Sequence, residues 1–193
     1  MAYQLKVSLD YSSKPPIWRR ILVPDLFSFH ELHGVIQAAM GWQNAHLYGF
    51  RSGGRGGEEI GIPFDDDFMG GEVLDANKIP IQSRFTREKQ KINYEYDFGD
   101  SWAHTVLIEK ITDEKITAPR CLKGKGACPP EDCGGIYGYY EMVEAVNNPK
   151  HPEHDDMREW LGMEKGEKWD VNDFDLEESQ QAVIHYQQFT MRW

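Results

Sequence analysis

Hydrophobic and polar residues alternate at the start of the chain. The apolar positions that fall on one side of an extended backbone are Tyr3, Leu5, Val7, Leu9 and Tyr11. This period of two is typical of a strand with one buried face. A second apolar run at residues 17–23 follows a Lys-Pro-Pro break and ends at Pro24, so the pattern predicts two neighbouring strands.

A helical pattern follows at residues 28–41. Ser28 and Glu31 have the spacing of a capping box, and Gly41 follows the last apolar position. The apolar residues that recur at helical spacing are Phe29, Leu32, Val35, Ile36, Ala39 and Met40. His30 and His33 lie three positions apart in this helix, a spacing compatible with a metal. We nevertheless expect each of them to be solvated or at the edge of the core.

A hairpin is predicted at residues 91–111. Tyr94, Tyr96 and Phe98 alternate with acidic residues over 91–98, Gly99-Asp100 supplies a turn, and a second apolar run occupies 102–111. Shorter strands are predicted at 46–51 and 79–85, an irregular loop at 120–135, and helices at 137–147, 153–161 and 176–189. Together these elements predict an α+β fold: a mainly antiparallel sheet, one helix after the second strand, and a helical C-terminal portion.

The length of 193 residues and the hydrophobic fraction of 40% suit one globular domain. Within it we predict a sheet-rich part at 1–118, a cysteine-rich loop at 119–136 and a helical part at 137–193. The formal net charge of −11 makes nucleic acid an unfavourable partner unless a local basic patch overrides it. Because no apolar run approaches the ~20 residues of a membrane span and residues 1–6 do not resemble a signal peptide, we expect a cytoplasmic protein without membrane contact.

The predicted hairpin turn carries more polar chemistry than a turn requires. Asp97, Asp100, Trp102 and His104 surround it, although aspartate beside glycine is also ordinary turn chemistry. Two other loops are weaker candidates. The glycine-rich residues 52–57 lack the pattern of a phosphate-binding loop, and the carboxylates at 65–67 lack the alternation of a calcium loop, which favours a solvated loop.

Three cysteines form the strongest metal candidate. Cys121, Cys128 and Cys133 have the spacing Cys-x6-Cys-x4-Cys, and a zinc ion bound by thiolates could order an irregular loop, with His104 as a fourth ligand. The simpler alternative is three reduced thiols. Two catalytic alternatives also stay open. One is a cysteine nucleophile, Cys121 or Cys128, activated by His104 and Asp97 or Asp100. The other is a metal-dependent hydrolase built on Asp65, Asp97 and Asp100.

A set of motifs spread along nearly the whole chain resembles the plasmid pRiA4b ORF-3-like family. The motifs are Trp18-Arg19-Arg20, Leu32-His33, Gly41-Trp42, His46-Leu47, Tyr96-Asp97-Phe98-Gly99-Asp100-Ser101-Trp102 with His104, Cys128-Pro129-Pro130-Glu131-Asp132-Cys133-Gly134-Gly135, Gly138-Tyr139, Trp160-Leu161-Gly162 and Asp173-Phe174-Asp175-Leu176. The resemblance implies a bacterial or archaeal protein that is associated with plasmids or transposons in some relatives. Some relatives are likened to transposon resolvases, but this acidic chain has no recognisable DNA-reading motif.

The resemblance singles out positions rather than a reaction. They are Asp97, Asp100, Trp102, His104, Cys121, Cys128, Glu131 and Asp132, whereas Cys133 stands where relatives carry valine or a similar residue. Our first hypothesis is a binding or accessory protein of mobile-element type, with the hairpin residues, Glu131 and Asp132 lining a ligand or partner surface. The second is a metal-dependent hydrolase, acting on nucleic acid, that uses the same residues and the cysteines. The third is that the motifs only pin the hairpin to the cysteine loop.

Overall fold

The computed structural model describes residues 1–52, 57–63 and 73–190. Within these residues, eight strands form one sheet: β1 (Ala2–Leu9), β2 (Trp18–Pro24), β3 (Tyr48–Arg51), β4 (Glu59–Gly61), β5 (Val73–Asp75), β6 (Lys91–Tyr96), β7 (Trp102–Thr112) and β8 (Arg120–Lys125). Their order is β5-β4-β3-β6-β7-β1-β2-β8. Neighbouring strands are antiparallel except β4 and β5, which are parallel, so the predicted α+β class with a mainly antiparallel sheet is confirmed.

The part of the chain that the structure describes also contains four helices: α1 (Phe29–Met40), α2 (Gly135–Asn147), α3 (His154–Trp160) and α4 (Leu176–Ile184). Short 3-10 turns lie at Ile81–Ser83 and Tyr186–Phe189. Helices α1 and α4 pack on the face that carries the inward residues of β1, β2 and β7, and this interface is the main core. In the described part of the chain, no helix has the length and apolar character required to cross a bilayer.

Helix α1 forms where its caps predict. The Ser28 hydroxyl accepts a hydrogen bond from Glu31 N at 3.1 Å, the Glu31 carboxylate accepts one from Ser28 N at 2.8 Å, and Gly41 ends the helix with φ of 109°. Because a φ in the left-handed region is strained for residues with a Cβ, glycine suits this position.

The expectation that His30 and His33 lie at the edge of the core is wrong. Both are buried, and each hydrogen-bonds through both ring nitrogens. His30 bonds to the Tyr48 hydroxyl at 2.6 Å, and His33 bonds to the Tyr94 hydroxyl at 2.9 Å. These bonds fasten α1 to β3 and β6. The burial of His33 lowers its pKa to about 3, so the neutral imidazole is the form that the fold accommodates.

The predicted hairpin is confirmed as β6 and β7, in which Tyr96 pairs with Trp102 and Lys91 with Leu107. Two other predictions are wrong. Residues 79–85 contain a 3-10 turn at Ile81–Ser83 rather than a strand; Ile81 is buried, and Phe85 N donates to Ile81 O at 2.8 Å. Residues 120–125 form a strand rather than an irregular loop.

Strand β8 exists because β2 has a free edge. Residues 120–125 pair with β2, with a register shift between Arg20 and Ile21, and this pairing overrides the weak strand propensity of glycine and lysine. Strands β4 and β5 have no counterpart in the predicted elements. The Asp65–Asp67 carboxylates, and part of the glycine-rich segment, lie outside the described residues.

Candidate functional site

Three segments that are distant in sequence meet at one end of the hairpin. They are the loop after α1, the β6–β7 turn and the loop before α2, and they contribute His46, Asp97, Glu131 and Asp132. His46 Nε2 lies 3.2 Å from Asp132 Oδ1, 3.7 Å from Asp97 Oδ2 and 3.9 Å from Glu131 Oε2. We call His46, Asp97 and Asp132 the His46 cluster, because these three supply ligand atoms that all lie within 4.8 Å of one another.

Asp97 is held by its own turn. It adopts a left-handed backbone conformation with φ of 54°, which aspartate tolerates better than most residues. Its Oδ1 accepts a hydrogen bond from Gly99 N at 2.9 Å, and its backbone N donates to Leu47 O at 2.8 Å. The turn therefore occupies one carboxylate oxygen and leaves Oδ2 facing His46.

Glu131 joins the loop after α1 to strand β6. Its Oε1 accepts hydrogen bonds from Gln43 N at 2.8 Å and from the Tyr96 hydroxyl at 3.0 Å. The Tyr96 hydroxyl in turn accepts from Ala45 N at 2.9 Å. Burial, together with the Glu131 charge, raises the pKa of Tyr96, so the phenol stays protonated and continues to donate to Glu131.

Asp132 is the exposed member of the His46 cluster. Its side chain is 71% exposed, whereas that of Asp97 is 10% exposed. Its backbone is also left-handed, with φ of 58°. The His46 cluster thus combines a fixed carboxylate, a partly buried imidazole and a solvent-facing carboxylate.

Asp100 serves a different purpose from Asp97. Its Oδ2 accepts a hydrogen bond from Gly134 N at 3.0 Å, immediately before α2. In the described residues, Asp100 is not a member of the three-ligand group around His46. This hydrogen bond joins the hairpin turn to the end of the cysteine loop, as the third hypothesis predicts. Trp42, which follows α1, also contacts the cysteine loop: its indole N–H donates a hydrogen bond to Pro129 O at 3.1 Å.

The start of α2 is packed so tightly that Gly138→Ala should reverse the usual effect of this substitution. A Cβ at Gly138 would lie 2.0 Å from Cys133 O. Alanine normally stabilises a helix interior relative to glycine by about 0.5–1 kcal/mol, but here the clash should reduce the free energy of unfolding by about 1–3 kcal/mol. Urea denaturation measures this change. Glu141→Ala, at an exposed position of the same helix, is the control, and unchanged or higher stability of Gly138→Ala would refute the close approach.

Trp102 and His104 lie in the core and not on a surface. They are 1% and 0% exposed, and both rings pack against Trp42. Neither ring nitrogen of His104 makes a hydrogen bond of normal geometry, although backbone groups of Tyr94 and Trp102 lie nearby. Burial lowers the pKa of His104 to about 4. In this structure the side chains of Trp102 and His104 therefore do not face solvent.

The cysteines do not gather around a common point. Cys121 is buried on β8, where Ser179 Oγ lies 3.2 Å from its sulfur. Among the described residues, no sulfur and no nitrogen of His104 belongs to a group of three ligand atoms within 4.8 Å. The structure therefore does not bring Cys121, Cys128, Cys133 and His104 together as the sequence-based zinc hypothesis requires.

The thiols of Cys128 and Cys133 are also poor nucleophiles in this environment. Burial raises the pKa of Cys133 to about 12, and the Asp100 carboxylate adds to the rise. Burial likewise raises the pKa of Cys128. Because the thiolate is the reactive form, a nucleophilic role for these residues has no support from their surroundings.

His46 is the site residue that our sequence reasoning did not select. It appears in the motif His46-Leu47, but it lies about fifty positions from Asp97 and more than eighty from Asp132, and local spacing carries no sign of their contact. The sequence did contain one indication of this site: the motif residues whose side chains can bind a metal occur in three short blocks. The structure brings one residue of each block to the same point.

The comparisons with known proteins agree with the fold. An uncharacterised protein of Sinorhizobium fredii, y4hQ, is 40% identical over 161 residues, which is 82% of this chain and 80% of that protein. The crystal structure of the protein of unknown function MM3350 from Methanosarcina mazei Go1 is similar with a TM-score of 0.77 and 35% identity, covering 92% of this chain and 96% of that one. The family described as plasmid pRiA4b ORF-3-like protein matches residues 1–178, and the chain therefore belongs to the plasmid pRiA4b ORF-3-like family.

Proposed function

We propose that the protein binds a divalent transition-metal ion, with zinc as the first choice, through the His46 cluster. The observation that carries this proposal is His46 Nε2: the atom is buried and makes no hydrogen bond, yet it lies 3.2 Å from one carboxylate oxygen and 3.7 Å from another. An imidazole nitrogen with carboxylate oxygens is a donor set that suits zinc and related ions.

The spacing of the ligand atoms supports the proposal. With metal–ligand bonds near 2.0–2.1 Å, two ligand atoms of a tetrahedral zinc site lie about 3.3 Å apart. The distances from His46 Nε2 to Asp132 and Asp97 are 3.2 and 3.7 Å. To complete the tetrahedral geometry, the exposed Asp132 side chain would rotate towards the ion. Asp97 would keep its orientation, because its turn already holds the carboxylate.

The metal would give the protein an open position for a ligand. Three protein ligands leave a fourth site for water or for a donor atom of a bound molecule. In the binding or accessory role that our first hypothesis assigns, that position holds part of the partner. An association with mobile elements is part of this proposal, and the family description, which refers to a plasmid, is its support.

The position of Glu131 favours a hydrolase as a second candidate. Its Oε2 lies 3.9 Å from His46 Nε2, and Tyr96 and Gln43 hold its other oxygen. A carboxylate beside a three-ligand metal is placed to accept a proton from metal-bound water. A metal-dependent hydrolase would therefore use the His46 cluster with Glu131 and not the cysteines.

Metal binding is tested by titrating the apo-protein with zinc chloride in a calorimeter. We expect one ion per chain, and a loss of affinity of at least about tenfold in His46→Ala and in Asp132→Asn, since each change removes one ligand. His185→Ala, at an exposed histidine outside the cluster, is the matched control. Cys121→Ser should keep full affinity.

The alternatives give different results in the same experiment. Binding that is lost in Cys121→Ser and retained in His46→Ala would move the site back to the cysteines and overturn the proposal, as would the absence of binding in the wild-type protein. Hydrolysis of bis-p-nitrophenyl phosphate separates the two roles. Activity that disappears with a chelator and with Glu131→Gln would favour the hydrolase, and a metal-loaded protein without activity would favour the binding role.

A further inference from the structure

The face of the sheet opposite α1 and α4 carries a row of basic side chains. Strand register places Lys6 opposite Arg20, and Arg20 opposite Lys123. On the other side of β1, Lys6 lies opposite Leu107 of β7, and Leu107 lies opposite Lys91 of β6. Residues that are directly opposite in neighbouring strands project from the same face. We call Lys91, Lys6, Arg20 and Lys123 the basic row.

An aromatic residue adjoins the basic row. Trp18 occupies the next outward position of β2 and pairs with Lys125. Lys6 Nζ lies 5.0 Å and Arg20 Cζ 5.3 Å from the Trp18 ring centre, which are cation–π distances. Trp18 is half-buried, so part of the indole is accessible between the cations.

The charge on this part of the face is opposite to that of the whole chain. Close to the basic row, Glu109 forms an ion pair with Arg20 and accepts a hydrogen bond from Gln4 at 2.8 Å. Other carboxylates on this face have partners of their own: Asp10 with Thr105, Glu95 with Ser101, Glu59 with Arg51 and Asp75 with Lys78. The surface around the basic row is therefore locally positive, although the whole chain has a net charge of −11.

The dimensions of the row suit an extended polyanion. Neighbouring strands are about 4.8 Å apart, so the basic row, which spans β6, β7, β1, β2 and β8, extends over roughly 19 Å. Lys91, Lys123 and Lys125 are exposed, and they are free to move their ammonium groups towards phosphates. A sheet face with basic side chains and an accessible aromatic ring is the arrangement on which single strands are bound by stacking and phosphate contacts.

We propose that the open face of the sheet binds single-stranded nucleic acid, with phosphates on the basic row and a base stacked on Trp18. A duplex fits less well, because its bases are stacked inside the helix and cannot reach Trp18. An anionic membrane also fits less well, since a membrane surface site needs apolar side chains that enter the lipid, and Leu107 in the row is itself half-buried. This inference does not depend on metal binding at the His46 cluster.

The test uses the full chain and a fluorescently labelled oligothymidylate of about 20 nucleotides, which exceeds the site size of a typical single-strand-binding domain. We expect saturable binding by fluorescence polarisation that weakens as salt is raised from about 50 to 200 mM. Lys6→Gln combined with Lys123→Gln should weaken binding at least about tenfold. It should also reduce the slope of log K against log salt by about 1.4, because two phosphate contacts are lost.

Control variants separate this surface from net charge and from misfolding. Lys150→Gln combined with Lys165→Gln makes the same charge change at exposed lysines elsewhere and should leave binding within about twofold. Trp18→Leu should weaken binding without changing the salt slope, and circular dichroism verifies that each variant is folded. Equal losses in the two double variants, binding to phosphatidylserine vesicles but not to the oligonucleotide, or no binding of the oligonucleotide at low salt would each overturn the proposal.

Discussion

Replacement of Arg19 by methionine is expected to lower the free energy of unfolding by about 3–5 kcal/mol. Arg19 points into the core from β2 and is 3% exposed. Its guanidinium donates hydrogen bonds of 2.8 Å to Ala39 O and 3.0 Å to Lys125 O. Methionine fills a similar volume but donates no hydrogen bond, so Lys125 O loses its guanidinium donor and Ala39 O keeps the Ser179 hydroxyl, 3.2 Å away. Each lost hydrogen bond at a buried group costs about 1–3 kcal/mol.

Arg19 also supplies a charge that α1 lacks. The last turn of this helix contains no basic residue, and its carbonyl groups carry a partial negative charge. The guanidinium approaches this end from the neighbouring strand and stacks on Phe174, with 4.4 Å between Cζ and the ring centre. Gly124 makes room for the stack, since a Cβ there would lie 2.5 Å from Phe174 and 2.8 Å from Arg19.

The adjacent arginine provides the control. Arg20 lies on the opposite face of β2, and its ion pair with Glu109 is partly exposed, with side-chain exposures of 29% and 18%. Arg20→Met should therefore change stability by about 0–1 kcal/mol. Urea denaturation of the two variants measures the difference. Similar losses in both would mean that the buried carbonyl contacts of Arg19 contribute little.

Acidification should destabilise the protein well before its carboxylates titrate. The pKa values of His33 and His104 are lowered by burial to about 3 and about 4 in the folded chain, whereas an unfolded histidine titrates near 6.5. Between these values the unfolded chain binds more protons than the folded chain, so stability falls as pH falls. The contribution is complete above about pH 6.5, and it is lost progressively towards the folded pKa values.

The size of the effect follows from proton linkage. Each histidine contributes up to about 1.4 kcal/mol per pH unit, so the two together should remove about 2–4 kcal/mol between pH 6.5 and 5. Unfolded aspartate and glutamate titrate near 3.9 and 4.3, so this interval is dominated by histidine. The measurement is the urea midpoint at a series of pH values. A constant midpoint from pH 7 to 5 would contradict the prediction.

Variants of the two histidines should behave differently at neutral pH. His104→Phe removes a ring whose nitrogens make no hydrogen bond of normal geometry, so its stability at pH 7 should stay within about 1 kcal/mol of the wild type. His33→Phe removes hydrogen bonds to Tyr94 and Asn44 and should cost about 1–3 kcal/mol at pH 7. In each variant, the fall in the free energy of unfolding between pH 6.5 and 5 should be smaller by the contribution of one histidine. An acid dependence that is unchanged in His104→Phe would mean that another group is responsible.

The residue pattern was sufficient wherever the structure depends on neighbours in sequence. The capping box at Ser28 and the glycine at 41 define α1, the alternation of Tyr3 to Leu9 defines β1, and the Gly99-Asp100 turn defines the hairpin. These features follow from backbone preferences and from which side of an element is apolar. The specific motifs were also sufficient to predict the family, because they occur in order along the chain.

The residue pattern was misleading wherever a distant segment supplies the partner. Residues 120–125 look irregular, but the free edge of β2 turns them into β8. His104 looks like a site residue because it is polar and lies near a turn, but the Trp42 ring covers it. Cys121 looks like a metal ligand, but β8 carries it to α4.

Local periodicity and ordered motifs were enough to predict the fold class, the principal helix and hairpin, and the family. The cluster of His46, Asp97 and Asp132 and the single row of lysines from three separate strands became visible only in the folded chain. Both arrangements depend on strand register and loop packing, which are set by long-range burial of apolar surface. Residues that are far apart in sequence carry no local mark of that proximity.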